Sequence, residues 1–435
     1  RADLVQWLAD MKPGFLRFPG GCIVEGRDLA SRYQWKKTVG KSEDRTMIIN
    51  RWNTEFDHRP TPDYFQTFGL GFFEYFQLAE DIGAAPLPIL SCGMACQFNT
   101  AEIVPMDQLD PYIQDALDLI EFANGDGSTS WGKLRASMGH PAPFNLQMIG
   151  VGNEQWGPQY IERYQAFVKA IKGKYPSIKI VTGNGPFPNG ELFEFADKEL
   201  RALKAEIIDE HYYNKPEWFL KNSTRYDAYD RKGPKIFAGE YAAQSVAIAS
   251  PDNKNNWDCA LAEAAFMTGL ERNADVVTMC SYAPLFAHAE GWQWTPDLIW
   301  FDNLQSYGTP NYYVQKLFSL NKGTHVLPLL QENANVTGQH ALYASAVLDK
   351  KEKELIFKIV NASRDSKTED IEIRGAKVLG TATVLTLKSE SLEAVNAFGT
   401  PNTISPEEKT TVVKGRNMNV TLAPYSFSVI KVKLK

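Results

Sequence analysis

The sequence is poor in the residues that build metal sites and covalent frameworks. Five cysteines (Cys22, Cys92, Cys96, Cys259 and Cys280) and six histidines are scattered through 435 residues. Only Cys92 and Cys96 lie close together, and no second short cysteine motif exists to complete a zinc-type pairing. Buried free thiols are therefore expected, which leaves the redox compartment open. No HExxH run or carboxylate–histidine cluster appears, so neither a metal nor another cofactor is expected. No apolar run is long enough to span a bilayer, and no signal peptide is recognisable. Basic blocks are missing too, and the net charge is −6. Nucleic acid and anionic membranes are thus poor candidates for the main partner. Internal repeats and low-complexity linkers are equally absent.

What is present is ordinary globular composition: 44% hydrophobic and 23% charged residues, enough for a sizeable packed core. A length of 435 residues suits a large α/β domain with a smaller one attached. The supply of Phe, Tyr and Trp is rich, which serves cores and sugar-stacking faces alike.

Along the chain, strands and helices alternate. Asp3–Met11 reads as a helix, Phe15–Phe18 as a strand closed by Pro19-Gly20-Gly21, and an irregular excursion with Trp35, Arg51, Trp52 and His58 follows. Helices are predicted over Tyr64–Ile82, Asp107–Phe122, Tyr160–Tyr175, Leu192–Leu203, Pro216–Tyr229, Asp258–Arg272 and Asn311–Leu320. Strands are predicted over Pro86–Ser91, Leu146–Gly152, Lys179–Gly183, Ile207–Tyr213, Lys235–Tyr241 and Asp275–Tyr282. Such alternation predicts a parallel sheet with helices outside. The seven strands, with one more expected before the opening helix, make an α/β (β/α)8 TIM barrel lacking its first strand. A doubly wound sheet is the alternative, disfavoured because no Gly-rich phosphate loop follows the first strand. From about Thr324 the texture becomes short β-type runs separated by polar turns, which predicts an all-β sandwich. The expected division is a barrel domain over 1–323 and a β domain over 324–435. Arg1 opens into a helix already under way, so the chain reads as a truncated or processed piece.

In a barrel, ligands bind at the carboxyl ends of the strands. Those ends carry Arg17, the Gly20-Gly21-Cys22 turn, Cys92, Asn153-Glu154, Asn184, His211, Tyr213, Glu240 and Tyr282. Two carboxylates stand out: Glu154 after Gly152-Asn153, and Glu240 between Gly239 and Tyr241. Cleavage of a glycosidic bond needs such a pair, one to protonate the leaving oxygen and one to attack or stabilise the anomeric carbon. Arg17 and Tyr213 are candidates to hold one carboxylate ionised. Trp156 supplies an aromatic neighbour that would favour a protonated acid at the other. Alone, either glutamate reads equally well as a solvated strand-end carboxylate, and His211 as a satisfied barrel histidine.

Four ordered motifs carry a resemblance: Phe18-Pro-Gly-Gly-Cys-Ile-Val-Glu-Gly26, Gly150-Val-Gly-Asn-Glu154, Asp209-Glu-His-Tyr-Tyr213 and Gly239-Glu-Tyr241. With the run from Ala262 to Val277, they resemble the α-L-arabinofuranosidases of glycoside hydrolase family 51 over nearly the whole chain. The resemblance implies a retaining double displacement, with Glu154 as acid/base and Glu240 as nucleophile. It implies further that Asn153 contacts the sugar beside the acid/base, that Tyr213 lies near the nucleophile and that Cys22 falls in the loop lining the sugar pocket; Arg17, His211 and Trp156, from their strand-end positions, are further candidates for substrate contact. Trp292, Trp294 and Asp297 would lie in the loop closing the pocket. The implied partner is an arabinose-containing polysaccharide or oligosaccharide, with a homo-oligomer allowed and a periplasmic or secreted location favoured. Family members also use a sugar-binding glutamate from the first strand, which this chain would lack. Another two-glutamate barrel, such as an endo-β-glycanase, and a non-catalytic carbohydrate-binding protein are the competing readings.

Overall fold

The computed structural model describes residues 1–54, 63 and 65–435. His58 and Tyr64, named above in the excursion and at a helix start, lie outside the described residues. By packing, the chain divides into two compact units. One holds residues 12–212 and 232–239, and the other residues 1–11, 213–231 and 240–435.

Helix α1 (Ala2–Asp10) precedes strand β1 (Phe15–Phe18), and α2 (Phe72–Asp81) leads to β2 (Ala85–Leu90). Helices α3 (Asp110–Asn124) and α4 (Ser130–Ser137) precede β3 (Met148–Val151), and α5 (Pro158–Lys174) precedes β4 (Lys179–Gly183). Then come α6 (Glu191–Ala202), β5 (Ile207–Asn214), α7 (Pro216–Lys221) and β6 (Lys235–Ala243). Finally α8 (Trp257–Arg272), β7 (Val277–Tyr282) and α9 (Pro310–Leu320) follow.

The seven strands form one sheet in chain order from β1 to β7. The pairings from β1 to β5 are parallel. A doubly wound sheet would reverse its order at a switch point. This one never does, which is the strand order of a (β/α)8 barrel. The runs are apolar without alternation because helices cover the sheet, and in β6 every residue after Lys235 is buried.

The C-terminal strands are β8 (His325–Leu327), β9 (Leu342–Asp349), β10 (Glu354–Asn361) and β11 (Lys367–Glu372). They continue with β12 (Val378–Lys388), β13 (Glu407–Lys414), β14 (Asn417–Leu422) and β15 (Ser426–Leu434). Their order is β8-β9-β10-β15-β12-β13-β14-β11, and the pairings are antiparallel. Leu342, Phe357, Ile359, Ile430 and Val432 share one buried cluster with Ile371, Met418, Val420 and Leu422. The strand array thus folds over a single core, as a β-sandwich does.

Several local expectations differ from the structure. The helix predicted from Tyr64 begins at Phe72, where Glu74 Oε2 accepts the Gly71 N–H at 2.9 Å. Phe65–Gln66 instead pairs with Ile48–Ile49, because Gly69 and Gly71 interrupt the helical run. The helix predicted over Pro216–Tyr229 stops at Lys221, where Asn222-Ser223-Thr224 favours turns. Helix α4, capped by Thr129 Oγ1 on the Gly132 N–H at 3.2 Å, escaped the apolar-period reading. So did the short strands Phe286–His288, Ile299–Phe301 and Ser306–Gly308 that frame the Trp292–Asp297 loop.

Two buried groups anchor α8. Lys358 on β10 is fully buried and donates to the Glu271 carboxylate and to Asn321 O, the latter at 2.8 Å. Burial lowers its pKa and Glu271 opposes that shift. Glu263 accepts from the Ala243 N–H at the end of β6 (2.8 Å) and from Asn311 Nδ2 (2.9 Å). Burial pushes its carboxyl from the ordinary 4.5 to about 8. Lys358→Met is expected to cost about 3 kcal/mol in urea unfolding, since it leaves Glu271 without its cation. Lys358→Met/Glu271→Leu should cost less, and equal losses would rule out the charge as the cause. The raised pKa of Glu263 means the folded state keeps a proton that the unfolded chain releases near pH 4.5. This contribution is complete below that pH and is lost as pH rises toward about 8. Urea midpoints should therefore fall more between pH 5 and 8 for the native sequence than for Glu263→Gln.

Candidate functional site

Strand β3 ends at Val151 and the chain turns at Gly152, whose φ of 72° lies in the left-handed region. A Cβ there would meet Gln155 Oε1 at 2.6 Å and Tyr160 Cε2 at 2.8 Å, so only glycine fits the turn. The turn delivers Asn153 and Glu154, both buried. The Asn153 N–H donates to Gln155 Oε1 at 2.6 Å within it, and one oxygen of Glu25 gathers three further donors. Glu25 Oε1 accepts the Glu154 N–H at 3.0 Å, Gln155 Nε2 at 2.7 Å and Asn153 Nδ2 at 3.4 Å. Burial raises the Glu25 pKa well above the carboxylate range, the charges of Cys96 and Glu154 add to this, and the Glu154 N–H opposes it.

The two oxygens of Glu154 have different partners. Oε1 lies 2.7 Å from His211 Nδ1, and Oε2 accepts the Cys22 thiol at 3.2 Å. His211 Nε2 is 3.3 Å from Asp209 Oδ2, so the imidazole stands between two carboxylates. Arg17 Nη2 donates to Asn153 Oδ1 at 2.7 Å and lies 3.6 Å from Asp209 Oδ2. The Asn184 N–H donates to Asp209 O at 2.9 Å, and Asn184 is buried. Gly239 leaves room for Asp209, because a Cβ there would fall 1.9 Å from its Oδ1. Trp156 packs against Phe98 and Phe187, with ring centroids at 5.0 and 5.6 Å, and its N–H donates to Gln97 Oε1 at 2.9 Å. All these groups belong to the unit of residues 12–212 and 232–239.

In the other unit, Glu240 is buried on β6 and accepts the Tyr213 hydroxyl on Oε2 at 2.8 Å. Tyr213 meets Trp294 edge to face, with centroids 5.4 Å apart. Asp297 is buried, which alone pushes its pKa well up, and its N–H donates to Asn255 Oδ1 at 3.1 Å. Asn255 also bonds Tyr282 Oη at 3.0 Å and Trp300 Nε1 at 3.2 Å, and Trp292 packs on Trp300. Arg17, Cys22, Asn153 and His211 gather around Glu154 or its neighbours, while Tyr213 and Trp294 gather around Glu240.

Three residues of the Glu154 cluster were not singled out from the sequence: Glu25, Asp209 and Gln155. Asp209 had a usable signal, since it sits two residues before His211 on one strand and so shares its face. Glu25 had none beyond its place in a glycine-bounded turn. All five cysteines are free, with Cys92, Cys96 and Cys259 buried. Cys22 Sγ, Cys96 Sγ and a Glu25 oxygen lie within 4.8 Å of one another, a donor set that a thiophilic cation could use. Arg51 Nη2 already donates to Cys96 Sγ at 3.0 Å, and its charge opposes a cation there.

Chemically, the first cluster can exchange a proton at Glu154 with His211 or Cys22 as neighbour. The second presents a carboxylate oxygen steadied by a phenol. Among the described residues, no helix is long and apolar enough to cross a membrane.

Comparison with known proteins agrees across the chain. Residues 7–231 match the family model described as "Alpha-L-arabinofuranosidase 1 domain", and residues 239–426 that described as "Alpha-L-arabinofuranosidase C-terminal domain". An extracellular exo-α-L-arabinofuranosidase of Streptomyces chartreusis is 47% identical over 75% of this chain and 39% of its own length. α-L-Arabinofuranosidase 1 of Arabidopsis thaliana is 37% identical over 98% of this chain and 60% of its own. The chain therefore spans less than two thirds of the length of either relative. The arabinose-bound MgGH51 α-L-arabinofuranosidase structure superposes with a TM-score of 0.87 at 34% identity, covering 100% of this chain and 67% of that one. With its barrel-type strand order, its β-sandwich and these matches, the chain belongs to the α-L-arabinofuranosidases of glycoside hydrolase family 51.

Proposed function

We propose that this chain carries the catalytic machinery of a retaining, exo-acting α-L-arabinofuranosidase. It would release terminal non-reducing L-arabinofuranosyl residues from arabinan, arabinoxylan or arabino-oligosaccharides. The observation that carries the reading is the contrast between the two glutamates within a chain of this family. Glu154 has a titratable neighbour on each oxygen, His211 and Cys22, at 2.7 and 3.2 Å. Glu240 accepts a phenol hydroxyl at 2.8 Å, which favours its ionised form. The first environment suits a group that gives and takes protons, and the second a group that must stay anionic.

In the proposed reaction, Glu154 protonates the glycosidic oxygen as Glu240 attacks the anomeric carbon. The bond to the leaving group breaks and a glycosyl ester forms on Glu240. Glu154, now a carboxylate, takes a proton from water, whose oxygen displaces Glu240 and restores both residues. Tyr213 steadies the leaving carboxylate, and Asn153, held by Arg17, is offered as a contact for a sugar hydroxyl. Cys22, His211, Trp156, Trp294 and Asp297 complete the proposed substrate contacts. We also propose a barrel domain over 1–323 and a β domain over 324–435. The names of the relatives, one of them exo-acting and another solved with arabinose, support the substrate class.

Glu240→Ala should lose roughly three or more orders of magnitude in kcat on nitrophenyl α-L-arabinofuranoside. Glu154→Ala should lose roughly 10²–10⁴-fold on an arabino-oligosaccharide. The loss should be smaller on the nitrophenyl substrate, whose leaving group needs no proton. Proton NMR of the first-formed sugar should show retained configuration. Inversion, or greater activity on a xylan or cellulose oligomer, would overturn the reading. Turnover no higher than background in the native sequence and in both variants, with arabino-oligosaccharide still bound, would point to a carbohydrate-binding protein.

A further inference from the structure

Cys22 and Cys96 come from distant parts of the sequence, yet their backbones are tied together. The Cys96 N–H donates to Gly26 O at 3.1 Å, and the Gly26 N–H donates to Cys22 O at 3.2 Å. Their sulfurs approach within 4.8 Å. Cys96 is buried, and Cys22 is partly exposed as a residue. The Arg51 guanidinium 3.0 Å from Cys96 Sγ stabilises a thiolate and works against a bound cation. The single Cys22 proton has two acceptors, Glu154 Oε2 and Cys96 Sγ.

We propose that Cys22 and Cys96 form an oxidisable pair, which hydrogen peroxide converts into a disulfide that takes Cys22 away from Glu154. The hydrogen bond from Cys22, aided by the charge of Arg51 and opposed by burial, holds the Cys96 thiol below the ordinary thiol range. Cys96 is therefore the attacking thiolate and Cys22 the resolving thiol. The Cys96 sulfur attacks one peroxide oxygen, an S–O bond forms, and the O–O bond breaks with loss of hydroxide. The Cys22 sulfur then attacks the sulfenic sulfur, an S–S bond forms, and the S–O bond breaks. The departing hydroxide takes the Cys22 proton and leaves as water. In sum, two thiols lose two electrons and two protons, and peroxide becomes two waters. A disulfide needs the sulfurs about 2.0 Å apart, so the Cys22 side chain must swing toward Cys96 and give up its hydrogen bond to Glu154.

The activity arm of the test rests on the proposed hydrolase reading; the mass arm does not. The purified chain is treated with graded hydrogen peroxide and examined by intact mass and by non-reducing peptide mapping. The expected product is about 2 Da lighter and contains a Cys22–Cys96 cross-linked peptide. Turnover of nitrophenyl arabinofuranoside should fall about tenfold or more and return with dithiothreitol. Cys96→Ser should keep its turnover under the same peroxide dose. A cross-link in a chain that hydrolyses nothing would sink the hydrolase reading and uphold this one. Separate sulfinic acids on the two cysteines without a cross-link would overturn it, as would equal inactivation of Cys96→Ser. Stoichiometric protection of both thiols from alkylation by micromolar Zn²⁺ would also overturn it, in favour of a metal site.

Discussion

A single carboxyl oxygen organises the best-defined part of this protein. Glu25 Oε1 receives one backbone and two side-chain donors from the consecutive residues Asn153, Glu154 and Gln155. Without it, the turn after β3 would leave three donors to compete for water in a buried place, at a cost of about 1–3 kcal/mol each. The geometry of Glu154 follows from this. Its backbone is pinned by Glu25, and its side chain by His211 and Cys22. A second tier then fixes those partners: Asp209 faces His211, Arg17 spans Asn153 and Asp209, and Gly239 leaves the space that Asp209 fills.

Burial of polar groups recurs wherever the fold must hold a strand end or a helix to a set position. Glu263 ties α8 to the end of β6 and to α9, and Lys358 ties α8 to β10. Hydrophobic packing alone specifies such contacts loosely, because apolar surfaces slide at little cost. A buried donor or acceptor does not slide, since losing its partner exposes the whole desolvation penalty. Glu240 accepts the Tyr213 hydroxyl by the same rule, and Tyr213 in turn is braced by Trp294.

Much of the fold was legible from residue pattern. Buried strands such as Met148–Val151 and Lys179–Gly183 are short apolar runs rich in β-branched residues, and α8 is a long apolar helix between clear stops. Legibility failed where polar residues decide. Strand β11 is polar apart from Ile371, and β14 alternates amide or hydroxyl residues with apolar ones, so both become strands only against a partner. The start of α2 was misplaced because Gly69 and Gly71 break a run whose aromatic content alone suggested a continuous helix.

The sequence by itself determined the strand–helix alternation, the β-rich end, and which two glutamates to watch, because strand-end position and neighbouring glycines are local properties. Family resemblance in four short motifs was legible for the same reason. Tertiary structure alone decided that Glu25 and Asp209 matter, that Arg17 serves Asn153 and Asp209, and that Cys22 lies between Glu154 and Cys96. These partners are separated by dozens to more than a hundred residues. Hydrogen-bond satisfaction in a buried site depends on which distant groups the fold brings within about 3 Å, and no local pattern encodes that.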